Sequence, residues 1–122
     1  MNKIIIPGEM PSFNEIVTAA KSHYHAYNRL KRDNTEAVSW IASKVPKKDK
    51  VFLDITWYCP NRQKDPDNIA SAVKFIFDGL VEAGVIENDG WKQNGGWSNT
   101  FKVDKDNPRV EVVISEVRDA EM

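Results

Sequence analysis

Asp65 and Asp67 stand two positions apart in Asp65-Pro66-Asp67-Asn68, and a third acid, Asp89, lies in the turn Glu87-Asn88-Asp89-Gly90. In an extended segment alternate side chains point the same way, so Asp65 and Asp67 are placed to share one cation. Magnesium takes oxygen ligands in near-octahedral geometry and uses one or two carboxylates, leaving positions for water and a phosphate oxygen. Two or three aspartates that meet therefore suit metal-assisted phosphodiester chemistry, with manganese the other ion that such an oxygen set accepts. A local reading competes: Asp65 caps the helix that follows and Asp67 complements its positive end. Spacing alone leaves both open.

Basic and amide side chains surround this pair. Arg62 and Lys64 immediately precede it and Asn68 closes it, so all three are candidates to meet the phosphate backbone of a nucleic acid. Lys74 follows on the predicted helix, about 10 Å along the axis from Asp67, and helical side chains lean back towards the amino end. It either steadies a phosphate or forms an i,i+4 pair with Asp78. Lys21, Arg29, Lys31 and Arg32 are further DNA-contact candidates, as are Lys44, Lys47, Lys48 and Lys50, with ordinary solvation the alternative for each.

Charge is segregated along the chain although the net charge is -1. Between residues 21 and 64 ten basic side chains face four acidic ones, and between 65 and 122 six face twelve. A basic surface beside an acidic pocket is what a metal-dependent nuclease needs, one part holding phosphates and the other concentrating cations. The length, 122 residues, suits a single domain. The longest apolar runs fall far short of the roughly 20 residues that cross a bilayer. With no basic start followed by a long apolar region, the expected compartment is the cytoplasm. The single cysteine, Cys59, has no partner for an internal disulfide and is expected to be a buried, inert thiol. His23 and His25, two apart, do not stand side by side on a helix, which argues against zinc.

The elements that must position these residues follow from periodicity. Ile4 to Ile6 before Pro7-Gly8 reads as a short strand. From Phe13 to about Val45 no proline or glycine occurs and apolar residues recur at helical spacing; a polar interval at 31–35 leaves two readings open, one long helix running through it or a second helix capped by Asn34 or Thr35. Val51 to Cys59 alternates as a strand, with Trp57 in the core. Pro66 to Ala83 reads as one helix, opened by proline and stopped by Gly84. Trp97 to Val103 and Arg109 to Val117 are the last two strands, and Trp91 and Trp97 are expected to pack, with base stacking as the alternative. The order strand, helix, strand, helix, strand, strand predicts an α+β domain: a mixed sheet covered by helices.

The residues Arg62-Gln63-Lys64-Asp65-Pro66-Asp67-Asn68, then Lys74, Asp78-Gly79-Leu80, Ala83-Gly84 and Asn88-Asp89 resemble the signature of the RusA family of Holliday-junction resolvases. Pro7, Pro11-Ser12-Phe13-Asn14 and the closing strand from Arg109 to Glu116 extend the resemblance over most of the chain. The lysine and the Asp-x-Leu lie three residues further from Asp-x-Asp-Asn than in the best-known form, and Asn88 stands where an acid is frequent. The resemblance implies a homodimeric, magnesium-dependent endonuclease that cuts four-way DNA junctions in recombination and repair, of a kind that often travels with phages. It implies that Asp65, Asp67 and Asp89 hold the metal and that Lys74 is the essential lysine. A non-catalytic protein of the same fold that binds branched DNA, and a nuclease for flaps or replication forks, are the rivals.

Overall fold

In the computed structural model, which describes residues 1–118, the eight elements follow the predicted alternation of strand and helix. They are β1 (Asn2–Pro7), α1 (Phe13–Ser22), α2 (Tyr24–Ile41), β2 (Val51–Cys59), α3 (Pro66–Ala70), α4 (Val73–Glu82), β3 (Asn94–Val103) and β4 (Arg109–Glu116). The strands form one mixed sheet in the order β1-β4-β2-β3. β4 is antiparallel to both β1 and β2, while β2 and β3 run parallel, from Val51 beside Asn94 to Cys59 beside Val103.

Alternation along the strands explains the single core. Val51, Leu53, Ile55, Trp57 and Cys59 of β2, Val110, Val112 and Ile114 of β4, and Ile4 and Ile6 of β1 are all buried. They meet Val38 and Ala42 at the end of α2, and Ala72, Phe75, Ile76 and Leu80 around α4. Over the opposite face, with Lys3, Ile5, Asp54, Tyr58 and Glu111, no helix of the described residues lies, so the helices cover the sheet on one side. This open face is tied by ion pairs and by two cations over the Tyr58 ring, Arg109 and, at 6.0 Å, Lys102. Arg109 bonds Glu111 and Asp104 at 2.7 and 2.8 Å, its guanidinium lies 3.7 Å over the Tyr58 ring, and Lys3 reaches Glu111 at 2.7 Å.

Two helix boundaries differ from the sequence reading, and both have the same physical cause. The polar interval at 31–35 stays helical, with Asn34 Nδ2 donating to the Leu30 carbonyl; Asn34 and Thr35 cap nothing. The break falls instead at His23, where the Ser22 hydroxyl donates back to the Ala19 carbonyl and the His23 ring accepts from the His25 N–H. The predicted helix from Pro66 to Ala83 is likewise split at Ser71-Ala72, where the Ser71 hydroxyl donates to the Asn68 carbonyl at 2.8 Å. A serine that bonds its own preceding turn competes with the i to i−4 ladder and bends or ends a helix.

α2 packs on α4 where Gly79 meets Val38. A Cβ there would lie 2.4 Å from the Val38 Cβ, a distance no pair of carbons tolerates. Gly79→Ala is therefore expected to destabilise the fold by about 1–3 kcal/mol through overpacking, although alanine is the better helix former. A chemical-denaturation midpoint at or above that of the wild type would contradict this.

Candidate metal and DNA site

The chain leaves β2 at Cys59 and enters α3 at Pro66 through a short exposed loop. Asn61 Oδ1 accepts the Gln63 N–H at 2.9 Å and turns the loop. Lys64 then anchors it to the amino end of α1: its ammonium lies 3.0 Å from Glu15 and 3.6 Å from Glu9. Glu15 is itself held in place, because Ser12 and Glu15 form a capping box at the start of α1. Burial pushes the Glu15 carboxyl up, but the hydrogen bonds from Ser12 and Lys64 outweigh it and its pKa falls below the usual value. The Glu15 bond raises the Lys64 pKa against a smaller desolvation effect. Lys64, expected to contact DNA, is thus occupied as the brace of the loop that carries the aspartates. The signal was Ser12-x-x-Glu15, a capping box legible in the sequence but not linked to Lys64.

Asp65 occupies the N-cap position of α3, and Ile69 N–H bonds its carbonyl. Its side chain makes no capping hydrogen bond, so the expected alternative of a capping aspartate is not realised. Asp67 follows in the first turn, where its Oδ1 accepts the Asn68 N–H at 2.9 Å. Both carboxylates are exposed and neither has an ion pair among the described residues. Asp65 lines an open concavity of about 330 Å³ together with Arg62, Ile69, Phe101 and Lys102. Arg62 has no ion pair among the described residues. Lys102 was not singled out from the sequence; it arrives because β3 runs parallel to β2 and ends beside Cys59, a long-range pairing with no local signature.

Asp89 does not join this group. It borders a second concavity with Gly90, Asn94 and Trp97, at the opposite end of β3. The nearest residues that line the two hollows, Trp97 and Phe101, are four positions apart on one extended strand, about 13 Å. Among the described residues no three His, Cys, Asp or Glu side chains are grouped to hold a metal. The expectation that Asp65, Asp67 and Asp89 converge within one chain is therefore corrected. The crossover from β2 through α3 and α4 to a parallel β3 returns the chain to the starting end of β2, and Asp89 lies just before that return is complete.

Lys74 forms the i,i+4 pair with Asp78, at 3.3 Å and with its own side chain 64% exposed. The break at Ser71 means that no single helix axis joins it to Asp67. Asn68 is half-buried within α3, where its carbonyl accepts the Ser71 hydroxyl. Lys21, Arg29, Lys31 and Arg32 lie exposed on α1 and α2 without ion pairs among the described residues. Cys59 is buried, and burial pushes its thiol pKa up, with Glu9 adding to the shift. Trp57 is core, its indole N–H bonding Asn99 at 2.9 Å. Trp97 packs edge-on against Phe77, but Trp91 is 97% exposed because no element covers the turn that carries it; its expected packing is corrected.

The chain matches no known family model and no curated protein. No helix of the described residues is long and apolar enough to cross a membrane.

The Lys64 brace has a defined pH window. Glu15, with a lowered pKa, contributes above its ordinary titration at 4.5 and loses that contribution as pH falls through its folded value. Lys64, with a raised pKa, contributes below 10.5 and loses it as pH rises through its folded value. Glu15→Gln, which keeps an acceptor for Ser12 but loses the charge, is expected to cost at most about 1 kcal/mol at neutral pH, since the pair is solvent-screened. The gap between variant and wild type in thermal unfolding should close below pH 4.5; a gap that widens there would contradict the assignment.

Proposed function

We propose that this chain is a divalent-metal-dependent endonuclease acting on branched DNA, with the four-way junction as its reference substrate. The observation that carries the reading is Asp65: an aspartate in the N-cap position whose carboxylate is withheld from the helix, next to Asp67, with neither in an ion pair among the described residues. The resemblance to RusA-like resolvases points the same way, since its Asp-x-Asp-Asn element falls on these residues.

Two exposed carboxylates fit the one or two that magnesium takes directly, and manganese shares the preference for oxygen. Such an ion, when bound, supplies Lewis-acid charge and a water of lowered pKa for attack on phosphorus. Asp65 and Asp67 would hold it. Arg62 and Lys102, in the same concavity as Asp65, would receive the phosphates beside the scissile one. Lys74 remains available to a phosphate because its pair with Asp78 is worth no more than about 0.5 kcal/mol. Lys21, Arg29, Lys31 and Arg32 would meet backbone further along a DNA arm, as position-fixing rather than base-reading contacts.

Asp89 enters through a second copy of the chain. β3 is an edge strand of ten residues with no proline and a single charge, Lys102, and it leaves Trp97, Phe101 and Val103 exposed. Edges of this kind pair with other strands unless they are blunted, whereas β1, the other edge, carries Lys3 and ends in Pro7. Two β3 strands paired antiparallel about a two-fold axis exchange ends, which carries Asp89 of each copy towards Asp65 and Asp67 of the other. The two sites then share the symmetry of a four-way junction.

One observation favours a second reading. Because no three carboxylates gather among the described residues of one chain, a branched-DNA-binding protein that does not cut is the rival. A subunit-mixing assay separates the two. Asp67→Asn and Asp89→Asn are each expected to abolish magnesium-dependent cutting of a synthetic four-way junction, and the two variants co-refolded together to restore single nicks. A dead mixture beside an active wild type would overturn the shared site; an Asp67→Asn protein that cuts would overturn the role of that carboxylate; a wild type that binds junctions but cuts no junction, flap or fork in magnesium or manganese would establish the rival.

A further inference from the structure

We propose that the concavity where β2 and β3 begin is a second phosphate-binding surface, which grips the DNA backbone away from the Asp65 end of the same chain. The proposal rests on the reading of this chain as a DNA-acting protein and adds where a duplex arm lies.

Three segments remote in sequence build this surface: the loop that enters β2, the stretch before β3, and the chain leaving β4. Backbone hydrogen bonds fix them to one another. Lys48 N–H bonds the Val85 carbonyl at 2.7 Å, Val51 N–H the Gln93 carbonyl at 2.9 Å, and Val117 N–H the Lys50 carbonyl at 2.8 Å. The hollow, of about 620 Å³, gathers the cationic side chains Lys47, Lys48, Lys50, Lys92 and Arg118. Three carboxylates share its wall against these five cations, an excess of two positive charges: Glu87 is engaged by Lys47 at 3.5 Å, Glu116 accepts the Asp49 N–H at 3.4 Å, and Asp49 itself is exposed. Lys48, Lys92 and Arg118 have no ion pair among the described residues.

This concentration of positive charge occurs in a chain of net charge -1. Lys92 and Arg118 come from the acidic half of the sequence, so the fold has drawn them to the lysines of the 47–50 loop. Cations held close together repel one another, and a bound anion relieves the repulsion. The hollow is broad and open, with its cations spread over three segments, so a single small anion would meet few of them. A backbone of regularly spaced phosphates meets several in succession and gains from the release of its counterions. The surface also adjoins the Asp89 turn, since Lys92 lies three residues beyond Asp89. In a dimer paired through β3 it therefore flanks the metal site of the other copy, and one arm of the junction can lie across both.

The test is binding of a fluorescent four-way junction by the full chain in EDTA, titrated over a range of salt concentrations. Binding without metal separates this surface from the chemistry at Asp65 and Asp67. Lys48→Gln with Lys92→Gln is expected to weaken binding and to lower the slope of log affinity against log salt by about two, one for each phosphate no longer neutralised. Lys105→Gln, an exposed charge in the turn between β3 and β4, is expected to leave the slope within the scatter of the wild type. A double variant with native circular dichroism and an unchanged slope would overturn the inference while leaving the nuclease reading standing. Wild-type protein that binds no DNA at all would overturn both.

Discussion

Parallel strands cannot be joined by a turn, and the parallel pairing of β2 with β3 governs where every candidate group lies. The connection must climb from the end of β2 and return to its beginning. In this chain it does so through α3 and α4, which bury Phe75, Ile76 and Leu80 on the sheet. Asp65 and Asp67 stand at the outset of that climb and Asp89 near its close. Separation of the acids is thus a consequence of topology. The same constraint leaves β3 at the edge of the sheet, with its outer backbone groups and three large apolar side chains open to a partner.

Around this crossover the chain holds its loops by a few inexpensive devices. A capping box at Ser12 fixes Glu15, Glu15 holds Lys64, and Lys64 steadies the approach to Asp65. Two serines end helical runs by bonding back into the preceding turn, and a glycine lets α2 settle against α4. None of these interactions is strong alone. Together they leave the aspartates exposed on a braced segment.

How much of this was legible in the sequence depended on the range of the signal. The alternation from Val51 to Cys59 gave β2 to the residue, because one face of a one-sided sheet is buried and the other is not. The helical spacing around α2 and α4 was equally plain, and so was the α+β order. The breaks at His23 and Ser71 were not, because a back-bonding serine competes with the helix without disturbing apolar periodicity. The motif from Asp65 to Asn68 was visible as chemistry, and its exposure follows from its place after a strand. What could not be read was which residues join it: Lys102 comes by strand pairing, and the brace through Glu9 and Glu15 comes from the other end of the chain. The position of Asp89 was partly legible, since a helix between two strands of one sheet carries the chain back to where it began. The basic hollow formed by the 47–50 loop, Lys92 and Arg118 had no sequence signature beyond its lysine run.

The account depends on Asp65 and Asp67 being left unpaired for a divalent cation. Titration of the protein with manganese, followed by the loss of the free-ion electron paramagnetic resonance signal, measures this without DNA or catalysis. The account predicts saturable binding in the wild type that disappears in Asp65→Asn and in Asp67→Asn while the fold is retained. Equal manganese binding in the wild type and both variants would contradict it.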